Sequence, residues 1–373
     1  CQGGVMVVRE ILSLASELGA RLAEPGEFTK RAFLNGRLDL AQAEAVLDVI
    51  QAQTRLGLEV AVDQLEGSLS RRIAAIREGL YDLTVRIEAS IDFPEDDIPD
   101  LEIAEVERGL QTSLAGIAAL LATADDGKIL REGLKTVITG KPNVGKSSLL
   151  NALLGENRAL VTDIPGTTRD TIEEVVNLKG VALRLVDTAG IREASDLVER
   201  LGVERSLALL QEADLVLHVL DRSEDLAPED FQILELTKEN RRIVLINKTD
   251  LPPAWGLADL GEIAAPVLEI SLLKERERVV EALSAAILDL LGSGMVASSA
   301  GTRALITRAR HKQALQDAER HLREALSTLQ AGLPLDLVAV DLYQALEALG
   351  EITGETVREN VLDRIFAQFC IGK

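Results

Sequence analysis

The chain has 373 residues, 47% of them hydrophobic, so it can fill the cores of two or three domains and is too apolar for a disordered tail. Its 40 basic and 61 acidic residues give a net charge of −21, which would repel a polyphosphate and excludes a protein dedicated to coating nucleic acid. Two cysteines exclude a disulfide framework, and no apolar run reaches the roughly 18 residues of a membrane span, so we expect a cytoplasmic protein with no membrane partner.

The N-terminal segment has the periodicity of a helix. Apolar residues follow helical spacing over residues 5–18, and Gly19 stands where a left-handed C-cap belongs. Residues 24–28 have the composition of a turn. Because the first residue is Cys1 rather than a methionine and the helical pattern starts almost at once, we expect the chain to begin inside a folded unit.

Helical patterns continue beyond this segment. Asp39, with Gln42 three residues later, has the form of a capping box that opens a helix through about residue 53. The pattern then runs without a break over residues 56–90, which predicts a long bundle helix. A further amphipathic stretch covers residues 103–124, and a turn is predicted at residues 125–127.

The composition changes near Gly133 to short β-branched or aliphatic runs separated by helical stretches. The predicted strands are residues 136–139, 183–186, 215–220, 242–246 and 267–270. This alternation predicts a mostly parallel sheet with helices on both faces, which binds ligands beyond the carboxyl ends of its strands. His218 lies within one of the apolar runs and is expected in the core.

The C-terminal part is helical again. Residues 302–330, 335–349 and 355–369 have helical patterns, so the α/β region is flanked by helices on both sides. Pattern alone leaves open whether these flanks form one bundle with the α/β region inserted or two separate domains.

A phosphate-binding motif lies between a predicted strand and a predicted helix. Residues 140–147 match G-x-x-x-x-G-K-[ST], in which glycines let backbone N–H groups turn inward and the helix N-terminus adds its dipole. Lys146 would reach the β- and γ-phosphates, and Ser147 would offer its hydroxyl to Mg²⁺. The predicted cradle residues are Asn143, Val144, Gly145, Lys146, Ser147 and Ser148.

A second motif ends another predicted strand. Asp187 can hold the hydration shell of Mg²⁺, and Gly190 can offer its N–H to a γ-phosphate. The whole predicted segment comprises Asp187, Thr188, Ala189 and Gly190.

A third motif follows the strand over residues 242–246. In the segment Asn247, Lys248, Thr249 and Asp250, the Asp250 carboxylate can accept two hydrogen bonds from guanine N1 and N2, a pattern that adenine cannot supply. A buried acceptor of this kind typically rejects the wrong base by ~10⁴ or more. Ser271 and Leu272 close the next strand and could complete the base pocket.

Each of these motifs by itself could be an ordinary turn or a solvated loop. Because they occur in this order at the ends of successive predicted strands, together they favour a site for GTP rather than ATP.

In these motifs the sequence resembles the MnmE (TrmE) family of tRNA-modification GTPases, a branch of the translation-factor-like P-loop GTPases. Further matching segments are residues 25–28 and 31–36, 91–94, switch I at 162–170, switch II at 187–200, and the final 369–373, which read FCIGK.

The resemblance implies a fold class and a domain division. The fold is an α/β P-loop GTPase domain with a mostly parallel sheet, inserted in an all-α helical bundle domain and preceded by the remainder of an α+β folate-binding domain. The implied domains are 1–36 for the folate-binding remainder, 37–132 for the first helical half, 133–291 for the G domain, and 292–373 for the second helical half.

The sequence requires an unusual hydrolytic mechanism. Ile191 follows Gly190 where Ras-like GTPases carry a water-orienting glutamine, and an isoleucine cannot orient water. The family resemblance implies that K⁺ takes the place of an arginine finger, held by residues matching Asn143, Thr162, Ile164 and Thr167. It also implies that two G domains pair across their nucleotides as a homodimer.

The resemblance assigns further roles in the two switches. Thr168 would join Ser147 on Mg²⁺, Glu199 would act on the water at one remove, and Arg192 would steady switch II. On its residue type alone, Glu199 is favoured as a helix-surface glutamate, and only the resemblance assigns it a role in hydrolysis. The implied nucleotide contacts of switch I are Thr162, Asp163, Ile164, Pro165, Gly166, Thr167 and Thr168.

The resemblance also implies a tRNA substrate. With the flavoprotein MnmG (GidA), the family adds an aminomethyl or carboxymethylaminomethyl group at C5 of the wobble uridine, and a tetrahydrofolate derivative supplies the one-carbon unit. The tRNA is contacted mainly through the partner. Arg37 and Lys373 match positions near the folate. Cys370 is a candidate catalytic thiol, but a lone cysteine is more often a small apolar filler, and a supporting role in the folate pocket is favoured over catalysis.

Two alternatives stay open on sequence alone. A ribosome-assembly GTPase of the Era or Der type shares the nucleotide motifs, but it should carry a basic RNA-binding domain, whereas the flanks here are acidic and helical. In the other alternative, the helical part is a scaffold, the G domain is a nucleotide-controlled dimer switch, and all tRNA chemistry occurs in the partner.

Overall fold

The computed structural model describes residues 4–92, 102–157, 174–186, 209–291, 304–357, 359–369 and 372. The chain divides into two compact units. The helical unit comprises Cys1–Ile50, Val62–Leu121 and Arg310–Lys373, and the sheet unit comprises Gln51–Ala61 and Ala122–Ala309. The helical unit contains residues of both helical flanks, so the α/β region is an insertion in chain order, as the predicted fold class requires. The finer domain boundaries at residues 36, 132 and 291 stay a prediction.

The described elements are, in chain order, α1 (Val5–Glu17), α2 (Glu27–Leu34), α3 (Leu40–Gln51), α4 (Arg55–Leu65), α5 (Ser68–Asp92), α6 (Ile103–Leu121), α7 (Ala124–Glu132), β1 (Leu134–Thr139), α8 (Lys146–Asn157), β2 (Glu174–Leu178), β3 (Val181–Leu185), β4 (Leu215–Asp221), α9 (Pro228–Leu236), β5 (Arg242–Asn247), a 3₁₀ turn (Leu257–Leu260), β6 (Val267–Glu269), α10 (Arg276–Leu291), α11 (Ala309–Gln330), α12 (Leu335–Thr353) and α13 (Glu359–Phe366). None of the helices in the described residues combines the length and apolar character needed to cross a bilayer.

Two predicted helix ends are confirmed at the level of hydrogen bonds. After α1, Gly19 has φ +92°, and the N–H groups of Gly19 and Ala20 donate to the carbonyls of Ser16 and Ala15, which is a Schellman ending. Before α3, the Asp39 N–H donates to Gln42 Oε1 at 3.0 Å and the Gln42 N–H donates to Asp39 Oδ1 at 2.9 Å. The capping box therefore forms in both directions.

The single long helix predicted over residues 56–90 is wrong. The chain forms α4 and α5 instead, with Gly67 between them at φ +82°, a conformation that a helix cannot contain. The hydrophobic pattern continues across the break because both helices bury one apolar face, so periodicity alone did not reveal the interruption.

The turn predicted at residues 125–127 is also wrong. These residues form the start of α7. Asp125 and Asp126 lie in its first turn, where negative side chains interact favourably with the positive end of the helix dipole. A Cβ atom at Gly127 would lie 2.3 Å from the carbonyl oxygen of Ile306. The glycine therefore permits a close approach between segments rather than a turn.

The described start of the helical unit packs against its described end. Gly26, at φ +66°, precedes α2, which sequence analysis did not predict, and a Cβ atom there would lie 2.8 Å from the Phe366 carbonyl oxygen. The rings of Phe366 and Phe369 lie 5.4 Å apart beside it. They share one core cluster with Leu40 of α3, so α13 completes the core begun by α3.

The sheet has the order β2-β3-β1-β4-β5-β6. All neighbouring strands are parallel except β2 and β3, which confirms a mostly parallel sheet. Sequence analysis missed β2. It forms a hairpin with β3 through Lys179 and Gly180, both at positive φ, as a two-residue turn of type I′ requires.

Helices cover both faces of the sheet, as predicted. Side chains along β5 alternate between two core clusters: Leu245 joins the cluster that contains residues of α8 and α10, whereas Val244 and Ile246 join the cluster that contains Leu234 of α9 and Trp255. This alternation follows from the period of two along a strand. A strand buried on both faces reads as a continuous apolar run, which is how β4 and β5 appear in the sequence.

Candidate functional site

Three of the predicted segments meet at one edge of the sheet. The loop over residues 140–147 follows β1, Asn247 ends β5, and Ser271 comes directly after the β6 segment. Because β1, β4, β5 and β6 run parallel, their carboxyl ends lie at the same edge. This edge is where an α/β sheet binds ligands.

The loop after β1 has a conformation that its glycines make possible. Gly140 has φ +140° and a Cβ atom there would lie 2.3 Å from the Val219 carbonyl oxygen; Gly145 has φ +114° and its Cβ would lie 2.3 Å from Asn247 Nδ2. Asn143, which is exposed, also adopts a left-handed conformation with φ +64°. Such a succession of backbone conformations is typical of loops whose N–H groups surround an anion.

Lys146 places its ammonium group at this loop. Its Nζ donates to the carbonyl oxygens of Gly140 at 2.8 Å and Lys141 at 2.6 Å. Burial lowers the pKa of Lys146, because a charged group loses hydration there. An anion within the loop would favour the charged ammonium and reverse that effect. Lys146 also begins α8, so the positive end of the helix dipole points to the same place.

Asn247 joins the loop to the other side of the site. Its side chain is buried, Nδ2 donates to the Val144 carbonyl at 2.8 Å, and Oδ1 accepts the Leu272 N–H at 3.2 Å. One amide therefore uses both of its ends to hold two segments that come from different strands. The predicted residues at β1, β5 and β6 form one connected structure through this side chain.

Asp250 presents a charged carboxylate next to this bridge. The Ser271 hydroxyl donates to Asp250 Oδ1 at 2.7 Å, and this hydrogen bond holds the pKa of Asp250 below its ordinary value. Thr249 fixes the segment from the other side, because its hydroxyl donates to the Ile270 carbonyl at 3.0 Å. An ionised carboxylate accepts hydrogen bonds only, so it matches two adjacent N–H donors on a ligand.

Sequence analysis missed Asp221, whose side chain contacts Lys248 in this segment. Asp221 ends β4, stands in register with Asn247, and forms an ion pair with Lys248, which has φ +63°. Burial raises the pKa of Asp221, but hydrogen bonds from Lys248 and Ser223 outweigh it and hold the pKa below its ordinary value. The Trp255 indole N–H donates to the Asp221 carbonyl at 2.8 Å. A carboxylate at the end of a strand that is otherwise apolar except for His218 was the signal for this residue.

Asp230 is a second missed residue, and it anchors the phosphate-loop segment. Its side chain is only 1% exposed, and Oδ2 lies 2.7 Å from Lys141 Nζ, within the loop. The same oxygen accepts the Ala227 N–H at 2.9 Å at the start of α9. The sequence Ala-Pro-Glu-Asp indicates a helix start, but only the tertiary structure brings Asp230 to Lys141.

The other predicted site residues divide into two groups. Arg37 is exposed in the helical unit, after Gly36 at φ +65°. The remainder lie outside the described residues: Thr162, Asp163, Ile164, Pro165, Gly166, Thr167, Thr168, Asp187, Thr188, Ala189, Gly190, Arg192, Glu199, Cys370 and Lys373.

Comparison with known proteins matches nearly every part of the chain to one family. The family model for the MnmE helical domain matches residues 40–370, and the model for the N-terminus of the GTP-binding protein TrmE matches residues 1–37. The tRNA modification GTPase MnmE of Alkaliphilus oremlandii is 50% identical over 375 residues, which cover 100% of this chain and 80% of that protein. The chain belongs to the MnmE family of tRNA modification GTPases. The MnmE protein of Bacillus subtilis is 49% identical over 376 residues, covering 100% of this chain and 81% of its own.

As a member of the MnmE family, this chain is a GTP hydrolase of tRNA modification, which confirms the family and the enzyme class inferred from the motifs. A crystal structure of Aquifex aeolicus Era bound to GDP and AlF₄⁻ is 32% identical over 41% of this chain and 56% of that chain, with a TM-score of 0.31. The Era or Der alternative is not favoured, because the MnmE relatives match the helical flanks as well as the nucleotide motifs.

Proposed function

We propose that this chain is a potassium-activated GTPase that acts with the flavoprotein MnmG (GidA) in the cytoplasm to modify C5 of the wobble uridine of tRNAs. The observation that carries the nucleotide part is the bridge made by Asn247, which joins the loop over residues 140–147 to the segment beside Asp250. A phosphate-binding loop and a base-reading carboxylate are thereby held at one fixed separation.

Different described residues would bind the phosphates and the base of the nucleotide. Backbone N–H groups of the loop and the Lys146 ammonium would bind the β- and γ-phosphates. Asp250 would accept the guanine N1 and N2 protons, with Ser271 orienting its carboxylate. Asn247 and Asp221 position these groups rather than contact the base. The proposed cradle also includes Asn143, Val144, Gly145, Ser147, Ser148, Lys248, Thr249 and Leu272.

The residues present fit the two cations that the family implies. Asn143 carries an exposed amide on a left-handed backbone at the edge of the loop, and Ser147 is exposed in the first turn of α8. Both offer neutral oxygens, which suit K⁺ and Mg²⁺. Bound cations would supply neutralisation of the charge that develops on the phosphate oxygens. The further ligands assigned by resemblance are Thr162, Ile164, Thr167 and Thr168.

The remaining roles rest on the resemblance. Glu199 would position water at one remove, Arg192 would steady switch II, and pairing of two G domains as a homodimer would order switch I. Arg37 fits a carboxylate of a tetrahydrofolate derivative, since its exposed guanidinium has no hydrogen-bond partner among the described residues. Lys373 and Cys370 would act at the same folate site.

Base recognition is tested by Asp250→Asn. An asparagine offers an amide N–H₂ where guanine N2 also donates, so we expect GTP affinity to fall by about 10² or more and the preference over ATP to disappear. Xanthosine triphosphate, which carries a carbonyl oxygen in place of the amino group, should bind the variant better than GTP does. Competition binding with the three nucleotides measures this.

Ser271→Ala is the matched control for that experiment. It removes the hydrogen bond to Asp250 but keeps the carboxylate, so GTP should remain the preferred nucleotide. An unchanged preference for GTP in Asp250→Asn would contradict the assignment of the base-reading residue.

The cation requirement is tested by comparing GTP hydrolysis in KCl and NaCl. We expect hydrolysis at least tenfold faster in KCl, with a parallel gain in modified wobble uridine when MnmG and tRNA are added. Asn143→Ala should lose the difference between the two salts while still binding GTP. Equal rates in both salts for the unaltered protein would contradict the proposed role of potassium.

A further inference from the structure

A cavity of about 550 Å³ lies in the helical unit, between α5 and α12. It is remote in sequence from every nucleotide motif, and the family resemblance assigned none of its residues a role. Its lining residues are Ala74, Arg77, Glu78, Tyr81, Tyr343, Leu346, Glu347 and Thr356. The volume is within the range of pockets that hold a small ligand or a few side chains of a partner.

Both tyrosines of the chain line this cavity. The sequence contains two tyrosines, Tyr81 and Tyr343, and both line this cavity with exposed fractions of 61% and 48%. The apolar surface continues one turn further on each helix, with Val85 on α5 and Val340 on α12, both exposed. Exposed aromatic and aliphatic side chains that are continuous in this way mark an interaction surface.

The charges around the cavity are predominantly negative. The Arg77 guanidinium forms an ion pair with Glu355, and the Tyr343 hydroxyl donates to Glu88, so these groups are already paired. By contrast, the exposed carboxylates of Glu78 and Glu347 have no partner among the described residues. The lining therefore combines two aromatic faces with two uncompensated acidic groups.

We propose that this cavity is the docking site for a basic, amphipathic helix of a partner protein. An arginine or lysine of that helix lies against the faces of Tyr81 and Tyr343 and pairs with Glu78 and Glu347. The apolar side of the helix covers Val85 and Val340. Cation–π contact and charge pairing reinforce each other in this arrangement, and an apolar groove that accepts an amphipathic helix is a recurrent mode of recognition.

The negative charge of the cavity favours a protein partner over a nucleic acid. Aromatic side chains that stack on bases normally stand beside cations that hold the phosphates, whereas here the one lining cation, Arg77, is engaged by Glu355. The chain as a whole has a net charge of −21, which adds to the repulsion of a phosphate backbone. A cationic protein segment is the chemistry that fits.

The two tyrosines make the site directly observable. Incorporation of 3-fluorotyrosine into the full chain yields two fluorine resonances, both from this cavity, and Tyr81→Phe assigns them. The probe is an acetylated and amidated peptide of repeated Leu-Arg-Ala-Leu-Arg-Ala-Ala units, and the control peptide carries citrulline in place of each arginine. We expect the arginine peptide to move both resonances and the citrulline peptide to bind about tenfold more weakly or not at all.

A pair of charge-neutralising variants tests the acidic groups. Glu78→Gln combined with Glu347→Gln should weaken binding of the arginine peptide about tenfold. Glu277→Gln combined with Glu281→Gln makes the same change of net charge on two exposed residues of α10 and should leave binding unchanged. A specific site at the cavity predicts this difference, whereas general attraction to an acidic protein predicts equal effects.

Several results would overturn the proposal. These are fluorine resonances that do not respond to the arginine peptide, equal binding of the citrulline peptide, or equal losses in the two double variants. Movement of both resonances by a single-stranded RNA oligonucleotide, or by spermine as strongly as by the peptide, would assign the cavity to another class of ligand. The measurement is independent of nucleotide hydrolysis, so it stands or falls separately from the GTPase function.

Discussion

The two units differ in what surrounds the buried histidine of each, His311 in the helical unit and His218 in the sheet unit. In the helical unit, Glu44 of α3 is 3% exposed, and its carboxylate accepts hydrogen bonds from Arg310 at 2.8 and 3.3 Å and lies 2.9 Å from His311 Nε2. In the sheet unit, His218 of β4 is fully buried, and neither ring nitrogen has a hydrogen-bond partner among the described residues. Burial, with a contribution from Arg242, lowers the pKa of His218 to about 4 although Asp230 acts in the opposite direction.

This difference follows from how each unit is assembled. The helical unit joins chain segments that lie far apart in sequence, and the Glu44 cluster connects α3 to α11 by directional, charge-assisted hydrogen bonds. The strands of the sheet unit are already aligned by their backbone ladders, so β4 can bury a neutral imidazole without such a connection. We infer that paired buried charge helps to specify the packing of the helices, whereas backbone pairing aligns the strands, and buried ion pairs of the sheet unit such as Asp230 with Lys141 hold its loops.

Removing the paired charge should have the largest effect on stability. Glu44→Ala leaves the Arg310 guanidinium without its carboxylate and should lower the free energy of unfolding of the helical unit by about 4 kcal/mol. Urea unfolding followed by the fluorotyrosine resonances measures this, because both tyrosines belong to that unit.

Asp363→Ala is the control for Glu44→Ala. Asp363 forms an exposed ion pair with Lys30 at 2.7 Å in the same helical unit, so its removal should cost less than about 1 kcal/mol. Equal losses in the two variants would mean that the buried cluster does not specify the helical packing.

His218 should make the sheet unit sensitive to acid. In the unfolded chain, His218 has its ordinary pKa of 6.5 and gains a proton below that pH, whereas the native imidazole stays neutral down to about pH 4. The free energy of unfolding should therefore fall as the pH drops through 6.5 and level off below 4. The gap between the two pKa values corresponds to about 3 kcal/mol. His218→Leu should remove that component of the pH dependence.

Trp255, the single tryptophan of the chain, reports this effect because it packs in the core of the sheet unit. Urea midpoints from its fluorescence are compared at pH 7 and pH 5 in both proteins, and His321→Gln, in the helical unit, serves as the control. Parallel pH profiles for the unaltered protein and His218→Leu would show that the imidazole is not the source.

The smallest expected effect concerns a polar pair that is local in sequence. Asp39→Ala removes one half of the capping box of α3 and should lower the free energy of unfolding of the helical unit by about 1 kcal/mol. Asp39→Ser retains an acceptor at the cap and should recover most of that loss. A cost comparable to that of Glu44→Ala would erase the distinction between local and long-range pairing.

Some elements were predictable because their causes are local in sequence. The Schellman ending at Gly19 and the capping box at Asp39 depend on residues within a few positions of each other. The motif residues Lys146 and Asn247 were placed at strand ends, since strand-to-loop transitions are visible in composition. The hairpin turn at Gly180 had a signal of the same kind, but the short β2 before it was missed.

Other errors came from contacts that no local pattern contains. Gly127 is a glycine because the Ile306 backbone approaches it, and Gly67 breaks a helical pattern whose hydrophobic periodicity continues on both sides. The residue pairs Lys141 with Asp230 and Lys248 with Asp221 join different strands and helices. The sequence shows that these four residues are charged, but it does not show which of them pair with each other.

The order of motifs along the chain by itself determined a guanine-nucleotide hydrolase with helical flanks, because phosphate and base recognition need particular side chains directly after particular strands. Only the tertiary structure decided that residues of both flanks form one unit, that Asn247 connects the loop over residues 140–147 to the segment after β6, and that an acidic, tyrosine-lined cavity lies between α5 and α12. Those features arise from side chains far apart in sequence, and their energies depend on distance and burial, which one-dimensional spacing does not contain.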